Sequence, residues 1–251
     1  MSCFKAVRLT YGACRIYKES DSSLYSDFDY ILQPIINPLT GRAHSYEVLS
    51  RVLSSSGECY DSEDFFSSID DEFIKSIVLN QLETLQKASE VRGVIFSYNM
   101  PLSVLEDYDF VCQIIEYAIT PIAIEVNDLS ADFESARLHN HIQLLRSAGH
   151  KIWLDDFNHK DLTFFRSLTQ FSWDLIKIDR AYLFNHDLFE NLESLIRFLK
   201  YYTKEIVVEG VESDYYLSFL SRKKVLAQGF YFSPGLTPDE LLPRVCDTSL
   251  H

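Results

Sequence analysis

Asp155 and Asp156 are adjacent carboxylates that follow directly on Ile152, Trp153 and Leu154, a run apolar enough to be a buried strand. Like charges at this separation repel, and taking a carboxylate out of water is costly. The pair therefore needs a partner of opposite charge. Other polar residues sit in or at the ends of similar apolar runs: Glu47, Asn99, Glu125, Lys177, Asp179, Glu209 and Gln228. Hard oxygen donors without thiolates or clustered imidazoles suit Mg²⁺ or Mn²⁺. A carboxylate shared by two ions about 3.5–4 Å apart is the pattern of two-metal phosphodiester chemistry. Two neighbouring aspartates can hold such a pair, one bridging and one terminal. Taken singly, Asp128 or Asp179 reads as a helix cap or a solvated loop residue. Lys177, between Ile176 and Ile178, reads as buried rather than as a surface lysine.

For these residues to meet, the elements carrying them must converge. Eight apolar runs of strand length recur: YILQPII, SYEVLSRV, GVIFSYNM, IAIEVND, KIWLDDF, LIKIDR, EIVVEGV and QGFYFS. Segments with apolar residues at three- and four-residue intervals separate most of them and read as helices. One begins at Ser62 or Asp61, one at Pro101 and one ends at Gly149, with two more in AYLFNHDLFENLESLIRFLKYYT and PDELLPRV. The first two runs flank NPLTGRAH and read as an antiparallel hairpin turning at Gly41. Strands alternating with helices imply a mostly parallel sheet covered on both faces. The pattern predicts an α/β fold, a TIM-like (β/α)8 barrel with an irregular, antiparallel first strand. A doubly wound open sheet is the alternative, and both place ligands at the C-terminal strand ends.

Bulk properties narrow the chemistry. The chain has 251 residues and 47% hydrophobic residues, enough for a large core. Its formal net charge of −14 argues against binding nucleic acid polymers or anionic membrane surfaces. Five cysteines, an odd number without CxxC spacing, suggest neither a disulfide framework nor a zinc knuckle. No stretch has the length and apolarity for membrane insertion. The expectation is a cytoplasmic protein with a lead-in over 1–27, one domain over 28–246 and a tail over 247–251.

These blocks resemble the EAL domain, the bacterial cyclic di-GMP phosphodiesterase family. The signature Glu-Ala-Leu stands here as Glu47-Val48-Leu49, with Arg51 after it, inside LQPIINPLTGRAHSYEVLSR. FSYNMP, IAIEVND, LDDFN, LIKIDR, VVEGVES and AQGFYFS resemble the later blocks, with Asp128 at the second position of a Glu-x-x-Glu pair. The resemblance implies a barrel whose first strand is antiparallel, and hydrolysis of cyclic di-GMP to linear pGpG with two Mg²⁺ or Mn²⁺ ions. Glu47, Asn99, Glu125 and Asp155 would hold one metal, and Asp155 and Asp156 the second. Lys177 would orient the attacking water and Glu209 would position it or act as base. Arg51 would contact phosphate, and Gln33 and Gln228 the substrate or its surroundings. The resemblance also implies a homodimer.

The sequence departs from the family at Asn158-His159-Lys160-Asp161, where Gly-Thr-Gly is usual, although Asn158 can adopt a left-handed conformation. FSPG also stands where a basic residue usually precedes the proline. The changed loop shapes the second metal site in the family. An EAL module that binds cyclic di-GMP or a protein partner without turnover is therefore the alternative to an active enzyme.

Overall fold

The computed structural model describes residues 4–53, 59–60, 62–129 and 134–241. Its strands form one sheet in the order β1-β2-β3-β10-β9-β8-β7-β6-β5-β4, and β3 also pairs with β4. The barrel closes through that last pairing. Its eight staves are β3 (Asp21–Asn37), β4 (Arg42–Leu53), β5 (Ile95–Met100), β6 (Ala123–Val126), β7 (Lys151–Phe157), β8 (Leu175–Ile178), β9 (Glu205–Val208) and β10 (Leu226–Ala227). Only β3 runs antiparallel to its barrel neighbours, β4 and β10. This is the TIM-like barrel the sequence predicts, turning at Gly41 with φ 66°.

Two strands lie outside the eight runs. β1 (Phe4–Thr10) and β2 (Ala13–Lys18) form a hairpin that pairs antiparallel with the first half of β3. The lead-in is thus built into the sheet, its polar residues occupying the exposed face. The eighth run, QGFYFS, is not a strand: the last stave, Leu226–Ala227, lies just before it, and the run itself forms turns in which Gly229, at φ 155°, passes against Val211. A Cβ at Gly229 would lie 2.3 Å from the Val211 backbone.

The helices also differ in detail from the sequence pattern. The segment from Ser62 is broken at Ile69–Asp70 into α1 (Ser62–Ser68) and α2 (Asp71–Arg92), and Asp61 lies outside the described residues. After Pro101 the chain makes a 3-10 turn, and Asp107 then caps α3 (Tyr108–Tyr117) by accepting from Asp109 N and Phe110 N. α4 (Ala136–Ser147) ends before Gly149, whose φ of 94° fits a left-handed helix stop. α5 (Leu162–Gln170), α6 (Ala181–Phe184), α7 (His186–Leu199), α8 (Asp214–Ser221) and α9 (Pro238–Leu241) complete the ring. α5 and α8 have no counterpart in the sequence reading.

The barrel interior has two layers. Ile35, Ala123, Trp153, Leu175, Val207 and Leu226 pack into an apolar plug. Side chains on a strand share a face every second residue. Two positions beyond Ala123, Trp153, Leu175, Val207 and Leu226 stand Glu125, Asp155, Lys177, Glu209 and Gln228. On the antiparallel β3, two positions back from Ile35 stands Gln33. The plug is therefore the floor of a polar layer, and Trp153 is its largest member. Trp153→Ala is expected to cost about 3–5 kcal/mol of folding free energy, read from urea unfolding; a change below about 1 kcal/mol would contradict a close-packed floor.

Candidate metal centre

Strand pairing brings the acidic residues into one ring. β4, β5 and β6 lie side by side, with Asn99 directly opposite Glu125. Between β7 and β8 the register slips: Leu154 pairs with Ile176, and Phe157 with Ile178. Asp155 and Asp156 together therefore oppose the single residue Lys177, which is a β-bulge. In a regular strand the two aspartates would point to opposite faces. Here Asp156 takes a left-handed backbone with φ 49°, and both carboxylates serve the same mouth. Phe157 then returns to the core with no exposure. Asp156 tolerates this conformation better than a branched residue would.

Lys177 is the centre of the ring and is buried. Its Nζ lies 3.1 Å from Glu47 Oε2, 2.9 Å from Glu125 Oε2, 2.9 Å from Asp155 Oδ1 and 2.8 Å from Glu209 Oε1. An ammonium has three N–H bonds for these four carboxylates. Asp155 Oδ1 has only its ion pair with Lys177, while the buried Glu125 Oε1 and the nearby Gln228 Oε1 have no hydrogen-bond partner. Glu47 is the best supported acid: Asn99 Nδ2 donates to its Oε1 at 2.7 Å and Gln228 Nε2 to its Oε2 at 2.6 Å.

The proton affinities follow from this arrangement. Burial is the largest influence on every acid in the ring and favours the protonated form. At Glu47 it is outweighed by the Lys177 charge and the hydrogen bonds from Gln228 and Asn99, so its pKa falls. Burial, then the Glu47 charge, pushes Glu125 well up. Asp155 rises to about 6 through burial and the charges of Asp156 and Glu47, against the pull of Lys177. Burial raises Asp156 too, with Asp179 adding repulsion, and burial together with Asp155 and Asp156 pushes Glu209 well up. Burial works against the Lys177 ammonium, but the four surrounding carboxylates override it and raise its pKa.

Two overlapping groups of carboxylate oxygens lie within 4.8 Å of one another: Glu47, Glu125 and Asp155, and Asp155, Asp156 and Glu209. Asp155 belongs to both. Hard oxygen donors, an excess of acids over one ammonium and buried oxygens without partners together fit divalent cations such as Mg²⁺ or Mn²⁺.

Other residues singled out in the sequence lie around this ring. Gln33 Oε1 accepts from Gln228 Nε2 at 2.9 Å, so both amides buttress Glu47. Arg51 is not drawn into the ring; its Nη2 donates to Asp29 Oδ2 at 2.6 Å. Asp179 accepts from Ala181 N at 2.7 Å and starts α6, while its charge reaches Asp156. Asp128 is exposed, beside the cavity described next. In the divergent loop, the left-handed residue is Asp156 rather than Asn158, whose side chain accepts from Lys160 N at 3.0 Å. His159 is held by the Tyr182 hydroxyl, and Asp161 caps α5.

A cavity of about 660 Å³ opens from the ring. Glu47, Asn99 and Asp156 form one wall, and residues of α1 and α2, among them Phe66, Ile74 and Gln81, form the other. Sequence reasoning did not find that second wall: its residues carry no charge pattern, and only the fold turns them toward the acids.

A sequence model of the EAL domain family matches residues 22–235. No functionally curated protein matches the sequence significantly. Among solved structures, the chain is similar to the PaMucR phosphodiesterase in complex with c-di-GMP, at 19% identity and a TM-score of 0.72, covering 86% of this chain and 94% of that one. It is also similar to Klebsiella pneumoniae BlrP1 with manganese and cyclic di-GMP, at 23% identity and TM-score 0.68, covering 84% of this chain and 56% of that one. The EAL enzyme Bd1971 bound to cAMP and cyclic di-GMP matches at 21% identity and TM-score 0.72, over 85% of this chain. The chain spans 63% of that protein. At these identities the likeness establishes a shared fold.

Asp155 binds its proton more tightly in the folded chain than in the unfolded one, whose ordinary value is near 4. Its ionisation therefore costs folding stability as pH rises through about 6. A cation that replaces the proton relieves this cost, so the gain in Tm on adding Mn²⁺ should be larger at pH 8 than at pH 5. Equal gains at both pH values would contradict a site built from these acids.

Proposed function

The chain belongs to the EAL domain family, and from that premise we propose that it hydrolyses one phosphodiester bond of cyclic di-GMP to give linear pGpG. The observation carrying this reading is the pair of carboxylate groups that share Asp155 beside an open cavity. Glu47, Asn99, Glu125 and Asp155 would hold one Mg²⁺ or Mn²⁺, and Asp155, Asp156 and Glu209 the other. Such ions supply Lewis-acid stabilisation of charge on the phosphoryl oxygens and lower the pKa of water. They also reconcile an acidic mouth with an anionic substrate.

The chain's own residues divide the remaining work. Lys177 fixes four carboxylates around one point, and where ions took over some of those oxygens its N–H groups would be free to orient the attacking water. Glu209, whose Oε1 lies 2.8 Å from Lys177 Nζ at the mouth, would position that water or take its proton. The water oxygen bonds to phosphorus, the P–O3′ bond breaks, and the released oxygen ends protonated. Gln228 and Gln33 hold Glu47 in place. Arg51 gives Nη2 to Asp29 and keeps other guanidinium N–H groups, with which it would contact a substrate phosphate. A homodimer is part of the same reading.

The His159–Tyr182 contact holds the divergent loop in one arrangement beside Asp156. That observation favours the second reading, a module that binds cyclic di-GMP or a protein partner without cleaving it. Incubation with cyclic di-GMP and Mn²⁺ is expected to yield pGpG. Binding without product, at enzyme equal to substrate, would select the second reading, and neither binding nor product would overturn the phosphodiesterase reading and every form of the second except a protein-binding module. Glu47→Ala or Asp155→Ala should reduce kcat more than about a hundredfold, measured by separating pGpG from substrate; normal turnover would contradict the assigned ligands. Lys177→Ala should lower kcat by about a hundredfold or more with KM changed less than about threefold. A collapse of affinity instead would make Lys177 a substrate contact.

A further inference from the structure

Residues 4–21 precede the segment matched by the family, yet their hairpin builds a core of its own. Cys14 and Ile16 of β2 join Phe28, Tyr30, Val52, Phe73 and Ile77 in a buried cluster separate from the main core, with Phe4, Phe65, Phe66 and Ile69 packed against it. The hairpin therefore rests on α1 and the start of α2, not on the barrel alone. Aromatic rings carry the contact. Phe4 of β1 lies 4.8 Å from Phe73 of α2, ring centre to ring centre. Phe28 meets Phe65 at 5.8 Å, Phe65 meets Phe73 at 6.1 Å, and Phe65 meets Phe66 at 5.4 Å.

Three residues of this small core, Phe66, Ile69 and Ile77, also line the cavity that opens from the acidic ring. One face of each packs toward the hairpin side and another borders the space beside Glu47, Asn99 and Asp156. α1 is only seven residues long and is separated from α2 by the break at Ile69–Asp70. A helix this short has little stability of its own and depends on tertiary packing. Polar contacts fix its inner side, where Ser62 Oγ donates to Ser50 O at 3.3 Å and Gln81 Nε2 of α2 donates to Ser50 Oγ at 2.9 Å. Its outer side is fixed by the aromatic cluster.

We propose that the N-terminal hairpin is a positioning element for the substrate cavity: through Phe4, Phe73 and Phe65 it sets where the α1–α2 wall stands opposite the acidic ring. None of these three residues touches the acids. Their effect falls on how well the cavity fits the substrate body, not on the reacting phosphate. The proposal takes its substrate from the phosphodiesterase reading, but the wall's dependence on the hairpin does not.

The test is Phe4→Ala in the full chain, with Phe4→Leu as the conservative variant that retains apolar packing at an edge-strand position. Phe4→Ala is expected to raise KM for cyclic di-GMP about fivefold or more, with kcat within about twofold, because uniform binding is lost while the reacting groups stay in place. Mn²⁺ affinity by calorimetry should be unchanged, and Phe4→Leu should restore most of the loss. Hydrogen exchange should quicken over residues 62–80 and not in β6 to β9. Unchanged KM and unchanged exchange in folded Phe4→Ala would overturn the proposal. So would parallel losses of kcat, Mn²⁺ affinity and exchange protection throughout the barrel, which mark general destabilisation. If the wild-type chain does not cleave cyclic di-GMP, the phosphodiesterase reading fails on that result alone, and the exchange pattern still decides the role of the hairpin.

Discussion

One buried ammonium among too many carboxylates is the constraint on which the rest of this structure depends. Lys177 lies within 3.1 Å of four acids, and Asp156 stands beside them. A buried carboxylate must be paired, protonated or bound to a cation. Pairing here is incomplete: three N–H bonds face four carboxylates, and Glu125 Oε1 has no hydrogen-bond partner. Removal from water and mutual repulsion accordingly raise the proton affinity of Glu125, Asp155, Asp156 and Glu209 together. A barrel stable enough to hold these acids close is a barrel prepared for divalent cations. The apolar plug around Trp153 supplies that rigidity directly beneath them.

The bulge in β7 turns this constraint into a two-part site. A regular strand would offer one aspartate to the mouth and send the other into the outer core, where Leu154 and Phe157 pack. Slipping the register by one residue lets two acids face one lysine. A left-handed non-glycine residue costs roughly 1 kcal/mol or more. At Asp156 that cost places a carboxylate that shares its neighbourhood with both Asp155 and Glu209. Irregular backbone at this position is thus what brings both carboxylates to one mouth.

Much of the site was legible from periodicity alone. Polar residues in or at the ends of apolar runs marked Glu47, Asn99, Glu125, Asp155, Lys177 and Glu209, and the barrel follows from strands alternating with helices, whereas the apolar layer beneath them is visible only in the fold. The sign and excess of charge at Asp155-Asp156 pointed to cations. Other features left no local trace. A bulge depends on the partner strand, so the sequence around Asp156 could not reveal its left-handed turn, and Asn158 was the more natural candidate. Arg51 is tied to Asp29 because β3 and β4 place the two side by side, a pairing set by register rather than by neighbours in sequence. The sequence marked 1–27 as a lead-in and found no strands there, because its polar and apolar residues alternate weakly. Residues of α1 and α2, together with Val52 of β4, supply the surface that Cys14, Ile16 and Phe28 need.

The most direct measurement is the anomalous scattering of manganese in crystals of this protein grown near neutral pH. The account predicts two peaks about 3.5–4 Å apart, with Asp155 bridging them, Glu47 and Glu125 on one side, and Asp156 and Glu209 on the other. Peaks absent from this mouth, or a single ion that leaves Asp155 bound only to Lys177, would contradict it.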